Sequence, residues 1–513
     1  MLYYEQITFQ LLFRSGKMGQ NKEYKSVIIL IMIVFISVFF SMPEFNDKFQ
    51  PEAKKMEKSK FLSLNPDNSH YLNFRGKPTI LITSGEHYGA VLNLDFDYIK
   101  YLDELKACEL NLTRTFSGVY VESDKSFNIV KNTLAPASNR FICPWVRSDV
   151  LGYANGGNKF DLTKWDNEYF KRLKDFISNA NKRDIVVEVV LFCPYYGDDQ
   201  WDLSPINIKN NINSIGDLPR TDALTMKNAD MVAVHDAMVR KIVSELKDFD
   251  NIYYEICNEP YFGGVTIEWQ NHIASAISDA EKSFPQKHLI AQNIANGSAK
   301  IENPNPLVSI FNFHYAAPPD TVGINYGLNK VIADDETGFR GTADFPYRTE
   351  AWDFIIAGGG IYSNLDYSFT VGHEDGTFEL PPKQPGGGGK TLRGQLKILK
   401  DFIHSFDFIK MSPNNSVIKE IEPSYVKGLV LTEIGKAYAI YLRFAESKDT
   451  VYSETVAKIK IDLPKGLYKL EWINTKTGKT ENLQTINHNG GEIELTSPVF
   501  IEDIAIRILR LKG

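Results

Sequence analysis

Strongly apolar stretches alternate with segments of helical periodicity through the middle of the chain. Eight stretches have the composition of buried strands, at residues 78–83, 112–116, 185–192, 253–260, 288–292, 308–315, 330–338 and 360–367. Helical spacing of apolar residues follows most of them, at 96–110, 165–181, 230–249, 269–283 and 392–406. Nearly continuous apolar strands separated by helices are typical of parallel sheets whose two faces are both covered. The pattern therefore predicts an α/β fold, a (β/α)8 TIM barrel that occupies residues 71–410.

The pattern changes to period-two alternation after about residue 411. Residues 429–444, 457–463 and 468–473 alternate apolar and polar positions, and turn-forming segments at 474–478 and 489–491 separate them. This predicts a small all-β sandwich domain at 411–513. Both a carbohydrate-binding module and a structural cap on the barrel fit this pattern.

An almost purely apolar run at residues 26–42 follows Lys22 and Lys25 near the start of the chain. A positive segment before an apolar run is the pattern of an export signal. The run is also close to the lower length limit for a membrane span, so an uncleaved anchor through 26–42 is the alternative. We predict a signal peptide or N-terminal membrane anchor at 1–45, a polar linker at 46–70, and a periplasmic, cell-surface or secreted protein.

Composition narrows the classes of partner and cofactor. The 513 residues carry a net charge of −7 and no long basic block, which disfavours nucleic acid as a partner. The four cysteines have neither disulfide-framework nor zinc-site spacing, so we expect free, buried thiols and no metal. Aromatic residues make up 12% of the chain, which fits either sugar-stacking platforms or a large aromatic core.

Two predicted strands deliver a carboxylate at the end where a TIM barrel places its chemistry. Glu259 follows the fourth strand in the sequence Asn-Glu-Pro, and Glu336 ends the seventh strand. Hydrolysis of a glycosidic bond needs such a pair, one carboxyl to protonate the leaving oxygen and one to attack the sugar or activate water. Asp335 is an alternative to Glu336, and a cation bound by Asp334 and Asp335 is a further alternative.

The strand-end residues together resemble glycoside hydrolase clan A, with family 5 and its cellulase-like relatives as the closest pattern. The resemblance rests on Asn258-Glu259-Pro260, on the sixth-strand pair His314-Tyr315 and on the seventh-strand Glu, and covers about residues 71–408. It implies that Glu259 is the general acid/base, whose pKa should be raised so that it holds a proton near neutral pH. The seventh-strand Glu336 would then be the nucleophile.

The resemblance also implies roles for neighbouring residues and a departure from the family. Arg114 matches the arginine beside the nucleophile, and His314 and Tyr315 match the pair that contacts nucleophile and sugar. Where family 5 usually places a sugar-binding Trp after the eighth strand, residues 363–367 contain none. Further sugar-contact candidates lie at strand ends or in loops: His87, Tyr88, Tyr195, Trp201, Asn258, Asn293, Asn364 and Asp366. Glu188 and Glu255, inside strands, are interpreted as structural ion-pair residues.

These patterns predict a glycoside hydrolase that cleaves a β-linked poly- or oligosaccharide by double displacement, with retention. Neither a cofactor nor a metal is required by that chemistry. A non-catalytic carbohydrate-binding surface protein on the same barrel is the alternative, although such a protein would need neither carboxylate. A transglycosylase would use the same two carboxylates with a sugar as the acceptor in place of water.

Overall fold

The computed structural model describes residues 61–445 and 453–511. The predicted export signal or anchor at 1–45, and residues 46–60 of the predicted linker, lie outside the described residues. Among the described helices, none has the length and apolar character needed to cross a membrane.

The described chain opens with a three-stranded antiparallel sheet that closes the bottom of a barrel. Its strands are β1 (Ser63–Leu64), β2 (Leu72–Phe74) and β3 (Lys77–Thr79). Leu62, Leu72 and Phe74 are buried in one apolar cluster with residues from all eight barrel strands. The last ten residues of the segment predicted as a linker therefore contribute to the barrel floor.

Eight parallel strands form the barrel: β4 (Leu81–Gly85), β5 (Leu112–Phe116), β8 (Val186–Val190), β9 (Ile252–Glu255), β10 (Leu289–Asn296), β11 (Ile310–His314), β12 (Val331–Glu336) and β13 (Ile361–Leu365). The hairpin β6 (Trp145–Leu151) and β7 (Asn158–Trp165) lies between β5 and β8 in the chain. The helices are α1 (Tyr98–Ala107), α2 (Asn167–Asn181), α3 (Asp198–Leu203), α4 (Ala229–Leu246), α5 (Ile267–Ala280), α6 (Asp320–Asn325), α7 (Asp344–Ile356) and α8 (Lys390–His404). The predicted (β/α)8 fold is confirmed, and the hydrogen-bonded order is β4-β13-β12-β11-β10-β9-β8-β5.

The two ends of that order, β4 and β5, meet at a seam that Asn111 joins. Its side-chain oxygen accepts from the Ile82 N–H at 2.8 Å, and its side-chain nitrogen donates to the Ile80 carbonyl at 3.0 Å. The Asn111 N–H also donates to the Ile82 carbonyl at 3.3 Å. One amide side chain thus replaces the ladder of hydrogen bonds that would otherwise join the two strands.

The C-terminal part is the predicted pair of antiparallel sheets. One sheet orders β14 (Ser412–Pro413), β16 (Val426–Glu433), β17 (Ala437–Phe444), β22 (Asp503–Arg510), β19 (Gly466–Ile473) and β20 (Thr480–His488). The other orders β15 (Ile418–Glu422), β18 (Lys458–Leu463) and β21 (Gly491–Thr496). The inward-facing residues of both sheets, among them Tyr438, Ile461 and Trp472, form one apolar core.

Helix α7 joins the β-sheets to the barrel. The Trp352 ring stacks on Tyr441, with centroids 5.2 Å apart. Beside it the buried Arg348 pairs with Asp503 at 2.6 Å, and the Tyr441 hydroxyl donates to the same carboxylate at 2.9 Å. Tyr441 and Ala505 belong to the barrel's own apolar cluster, so the two parts share a core.

Candidate active site

Three residues that face the cleft stand just beyond barrel strands in left-handed backbone. Tyr88 follows β4 with φ of 61°, Glu259 follows β9 with φ of 38°, and Tyr315 follows β11 with φ of 54°. Residues other than glycine rarely adopt this conformation, and the strain persists only where the surroundings enforce it. The sharp turn at each strand end directs the side chain into the cleft above the barrel.

The cleft at the C-terminal ends of the strands has a volume of about 510 Å³. Its walls are mainly aromatic, with a small group of carboxylate, amide and imidazole side chains. The lining residues are His87, Tyr88, Phe116, Glu122, Phe127, Leu134, Cys193, Tyr196, Asn258, Glu259, Phe262, Asn296, Tyr315, Glu336 and Phe339. An apolar cleft with a few converging polar groups is the usual form of a small-ligand site.

Glu336 is held by donors on both carboxylate oxygens. The Tyr88 hydroxyl donates to Oε2 at 2.8 Å and the Tyr315 hydroxyl to Oε1 at 3.0 Å. Arg114 Nη1 lies 3.4 Å from Oε2 and donates to the Tyr88 hydroxyl at 2.7 Å. These contacts fix the carboxylate in one orientation.

Arg114 itself is buried beneath the cleft among further carboxylates. Its Nε lies 2.9 Å from Glu188 and its Nη2 2.6 Å from Glu255, both without solvent exposure. Burial raises the pKa of Glu188 to about 7 and that of Glu255 to about 8, against the attraction of Arg114. The charge of Asp335 adds to the increase at Glu188, and the charge of Glu188 adds to the increase at Glu255. The structure thus places both glutamates in the ion pairs predicted from the sequence.

Asp335, the sequence alternative to Glu336, points away from the cleft. It is fully buried, 3.9 Å from Arg114 Nη2 and 3.2 Å from His314 Nε2. One of its oxygens lies within 4.8 Å of one oxygen each of Glu188 and Glu255, so the three form a compact acidic group. Arg114 already contacts all three, which makes the guanidinium the cation of this group.

Glu259 faces Glu336 and lies within hydrogen-bond distance of His314. The Tyr196 hydroxyl donates to Oε2 at 2.6 Å, the Tyr261 hydroxyl to Oε1 at 3.2 Å, and His314 Nδ1 lies 3.2 Å from Oε1. Burial raises the pKa of Glu259, but the hydrogen bond and charge of His314 and the Tyr196 hydroxyl outweigh it and the pKa is lowered. This is opposite to the shift expected from the sequence.

The pKa of His314 is shifted in the direction opposite to that of Glu259. Burial lowers the pKa of His314, but the negative charge of Glu336 and the hydrogen bonds to Asp335 and Glu259 outweigh it and raise the pKa well above its usual range. The two pKa shifts run in opposite directions, which favours a proton on His314 over one on the adjacent Glu259. One atom each from Glu259, His314 and Glu336 lies within 4.8 Å of the others.

The predicted site residues fall into two groups. His87, Tyr88, Asn258 and Tyr315 line the cleft with the two glutamates, and Arg114 and His314 lie directly beneath it. The others are buried in structural contacts outside the cleft lining: Tyr195 bonds Ser204, Trp201 bonds the Leu218 carbonyl, Asn293 contacts His314 Nε2, Asn364 bonds Ser84, and Asp366 pairs with Arg393. Strand-end position alone does not distinguish a side chain that faces the cleft from one that packs below it.

Sequence reasoning missed several residues of the cleft. Glu122 and Phe127 come from the loop after β5, Tyr196 from the loop after β8, and Phe339 from the loop after β12. Asn296, which contributes to lowering the pKa of Glu259, ends β10. Of these residues, only Tyr196 could have been found from the sequence, because it is next to Tyr195, which was predicted to contact the sugar.

Tyr367 is an aromatic residue that follows β13, in the segment that contains no tryptophan. Tyr367 is 3% exposed, and its ring lies edge-on to Phe339 at 6.2 Å and to His87 at 6.1 Å. Phe339 is 42% exposed and forms part of the cleft wall. The aromatic surface on this side of the cleft therefore comes from the loop after β12.

Residues 124–325 match the family model described as Cellulase (glycosyl hydrolase family 5). The match includes Asn258, Glu259, His314 and Tyr315, and it ends before Glu336. It confirms the resemblance drawn from the sequence to clan A glycoside hydrolases of the family 5 cellulase type. The activity that this similarity indicates is hydrolysis of glycosidic bonds in β-linked glycans.

Solved structures share the fold over both parts of the chain. A glycoside hydrolase family 5 protein from Bacteroides vulgatus ATCC 8482 has a TM-score of 0.59 at 15% identity, covering 88% of this chain and 93% of that chain. A structure named "Glycoside hydrolase" has a TM-score of 0.57 at 14% identity, covering 88% and 97%. A search of curated protein sequences gave no match.

Proposed function

We propose that this protein is a retaining glycoside hydrolase that cleaves β-linked glycans by double displacement. The supporting observation is that carboxylate oxygens of Glu259 and Glu336 lie within 4.8 Å of each other across the cleft. Retaining enzymes hold their two carboxyl groups about 5–5.5 Å apart, whereas inverting enzymes need roughly 6.5–9.5 Å for a water molecule between them. The separation therefore favours direct attack by a carboxylate on the sugar.

In the first half of the reaction, Glu336 attacks the anomeric carbon while the glycosidic C–O bond breaks. Glu259 gives its proton to the leaving oxygen, and it can obtain that proton from His314 Nδ1, 3.2 Å away. In the second half, a water molecule gives a proton to Glu259, and the water oxygen attacks the anomeric carbon. The ester bond to Glu336 then breaks, and Arg114, Tyr88 and Tyr315 receive the carboxylate in its original position.

The test is release of reducing sugar by the full chain from a panel of β-linked plant, algal and microbial glycans. Glu336→Gln should lose nearly all turnover, because an amide cannot act as the nucleophile. Glu281→Gln is the matched control, since Glu281 is an equally buried carboxylate paired with His288 at 2.6 Å outside the cleft. Wild-type turnover in Glu336→Gln would refute the assignment, and sugar binding without hydrolysis in the wild type would favour the binding-protein alternative.

We also propose that the protein is exported, on the basis of the apolar run at 26–42 and the preceding lysines. Cell fractionation with and without residues 1–45 tests this. The complete chain should appear in the membrane, periplasmic or extracellular fraction and the shortened chain in the cytosol. The same distribution for both chains would contradict export through this segment.

A further inference from the structure

A third carboxylate lines the cleft and has no part in the double displacement. Glu122 lies in the loop after β5 and is 4% exposed. Burial raises its pKa, against the attraction of His87 and the hydrogen bonds of Asn132 and Tyr120, and the negative charge of the nearby Glu336 adds to the increase. A buried carboxylate beside the nucleophile is costly to keep unless it has partners, so its contacts indicate its purpose.

Two neighbours hold the Glu122 carboxylate. The Tyr120 hydroxyl donates to Oε1 at 2.9 Å and the Asn132 amide nitrogen donates to Oε2 at 2.5 Å. Each carboxylate oxygen can accept a second hydrogen bond. Because Glu122 is part of the cleft wall, the remaining acceptor capacity is available to a bound ligand.

Asn132 also fixes the tautomer of a second cleft residue, His87. The Leu134 N–H donates to Asn132 Oδ1 at 2.9 Å, which identifies Oδ1 as the carbonyl oxygen. His87 Nδ1 lies 3.0 Å from that same oxygen, so Nδ1 must carry the hydrogen and donate. In the neutral ring, His87 Nε2 is then an acceptor.

The result is a pair of acceptors on one wall of the cleft. His87 Nε2 and Glu122 Oε1 are 4.0 Å apart, too far for a mutual hydrogen bond. Among residues 61–445 and 453–511, no side chain donates a hydrogen bond to His87 Nε2. Two neighbouring acceptors require two neighbouring donors, and adjacent hydroxyl groups on a sugar ring provide them.

We propose that Glu122 and His87 recognise a vicinal pair of hydroxyl groups on the neutral sugar ring that reacts at Glu336. The proposal rests on the proposed function, because it places that ring in the same cleft. A neutral ring is favoured over a uronic acid, since Glu122 and Glu336 both line the cleft and would repel a carboxylate on the sugar. The pair thus sets which sugar the enzyme accepts, in addition to the chemistry of the two catalytic glutamates.

The test compares wild type with Glu122→Gln on an aryl β-glycoside of the sugar that the wild type cleaves and on its mono-deoxy analogues. Gln keeps the size of Glu, and the Tyr120 hydroxyl can turn to accept from the new amide. Glu281→Gln, at the buried pair with His288, is the control and should behave as wild type. The expected loss in kcat/KM for Glu122→Gln on the parent glycoside is about 10- to 100-fold, the range for a hydrogen bond to a charged group.

The deoxy analogues distinguish recognition from a structural role. Wild type should lose about the same factor on the analogue that lacks one recognised hydroxyl, whereas Glu122→Gln should lose little more on that analogue than on the parent. An equal further loss for every analogue in both proteins would overturn the proposal and assign Glu122 to loop structure. Better cleavage of an amino analogue than of the parent would also overturn it, in favour of an ammonium group.

Binding separates a failure of this proposal from a failure of the proposed function. If wild type binds oligosaccharides but hydrolyses none, the catalytic proposal fails, and calorimetric Kd values replace kcat/KM in the same comparison. Glu122→Gln should then weaken binding by about 10- to 100-fold. If the Kd values of Glu122→Gln equal those of wild type and of the control Glu281→Gln, the proposal that Glu122 recognises a hydroxyl group is overturned, whether or not the protein has turnover.

Discussion

Tyr88 joins Arg114 to the nucleophile through a single hydroxyl group. That hydroxyl accepts from Arg114 Nη1 at 2.7 Å and donates to Glu336 at 2.8 Å. Burial raises the pKa of Tyr88 well above its usual range, so the hydroxyl keeps its hydrogen throughout the accessible pH range. The contact therefore positions Glu336 without competing for a proton.

Replacing Tyr88 by Phe should lower kcat by about 10- to 100-fold, because one hydrogen bond to the charged carboxylate is lost. The fold should be retained, since the ring still stacks on Phe116 with centroids 4.9 Å apart. Tyr254→Phe is the matched control, because the buried Tyr254 hydroxyl on β9 has no hydrogen-bond partner among the described residues. Steady-state kinetics on any cleaved glycan gives the result, and an unchanged kcat for Tyr88→Phe would contradict the positioning role.

The shared proton of Glu259 and His314 has a consequence for pH dependence. With two sites available, the pair holds its proton more tightly than Glu259 would alone. His314→Asn should therefore move the basic limb of the kcat/KM profile to lower pH, as the proton is lost more readily. His272→Asn, at a partly exposed pair with Asp236, should leave the profile unchanged. A basic limb that stays in place or moves to higher pH in His314→Asn would contradict proton sharing.

At this scale the sequence could predict the residues that belong to a strand-end pattern. The sequence predicts a place at the ends of apolar strands for Glu259, Glu336, His314 and Tyr315. Glu122 could not be found, because it lies in a long irregular loop whose fold depends on tertiary contacts. The direction of the Glu259 pKa shift depends on the distance to His314, which no local pattern contains.

At the scale of elements, the barrel strands were predictable because they are buried on both faces. β5 and β8 have no exposed position, and their continuous apolar character is distinctive. Helix α7 was missed for a related reason. Ten of its residues are buried, polar ones such as Arg348 among them, so apolar and polar residues are not separated onto two faces and the helical periodicity is absent. The predicted first strand at 78–83 is divided between β3 and β4, since Ile80 turns the chain from the floor sheet into the barrel.

The seam between β4 and β5 predicts how much the Asn111 side chain contributes to stability. Asn111→Ala would leave the Ile82 N–H and the Ile80 carbonyl without their side-chain partner. The free energy of unfolding should fall by about 2–4 kcal/mol, as each unsatisfied group costs about 1–3 kcal/mol. Urea denaturation measures the change, with the exposed Asn487→Ala as control. Equal stability of the two variants would show that the seam does not depend on Asn111.

At the scale of the whole molecule, the β-sheets and the barrel form one folded unit over the described residues. The buried pair of Arg348 and Asp503, together with the stacking of Trp352 on Tyr441, lies between them. These contacts favour the structural-cap interpretation of the C-terminal domain over an independent binding module. The sequence could not distinguish the two, because the interface is formed by α7, which its pattern does not reveal.

Arg348→Ala should destabilise the protein by about 3–5 kcal/mol, because it leaves the Asp503 carboxylate buried beside a single hydroxyl partner. Lys476→Ala is the control, since Lys476 contacts the neighbouring Glu502 at 2.6 Å from a partly exposed position. Surface pairs of that kind contribute at most about 1 kcal/mol. Urea denaturation of both variants checks the difference, and a small effect of Arg348→Ala would place the interface energy elsewhere.

The central claim, that Glu336 is the nucleophile of a retaining reaction, is tested most directly by trapping the glycosyl-enzyme. The full chain is incubated with a 2-deoxy-2-fluoro aryl β-glycoside of the cleaved sugar, and the modified peptide is located by mass spectrometry. The predicted result is one sugar ester on Glu336, absent from Glu336→Gln and present in Glu281→Gln. An ester on another carboxylate, or release of product with inverted anomeric configuration, would contradict the claim.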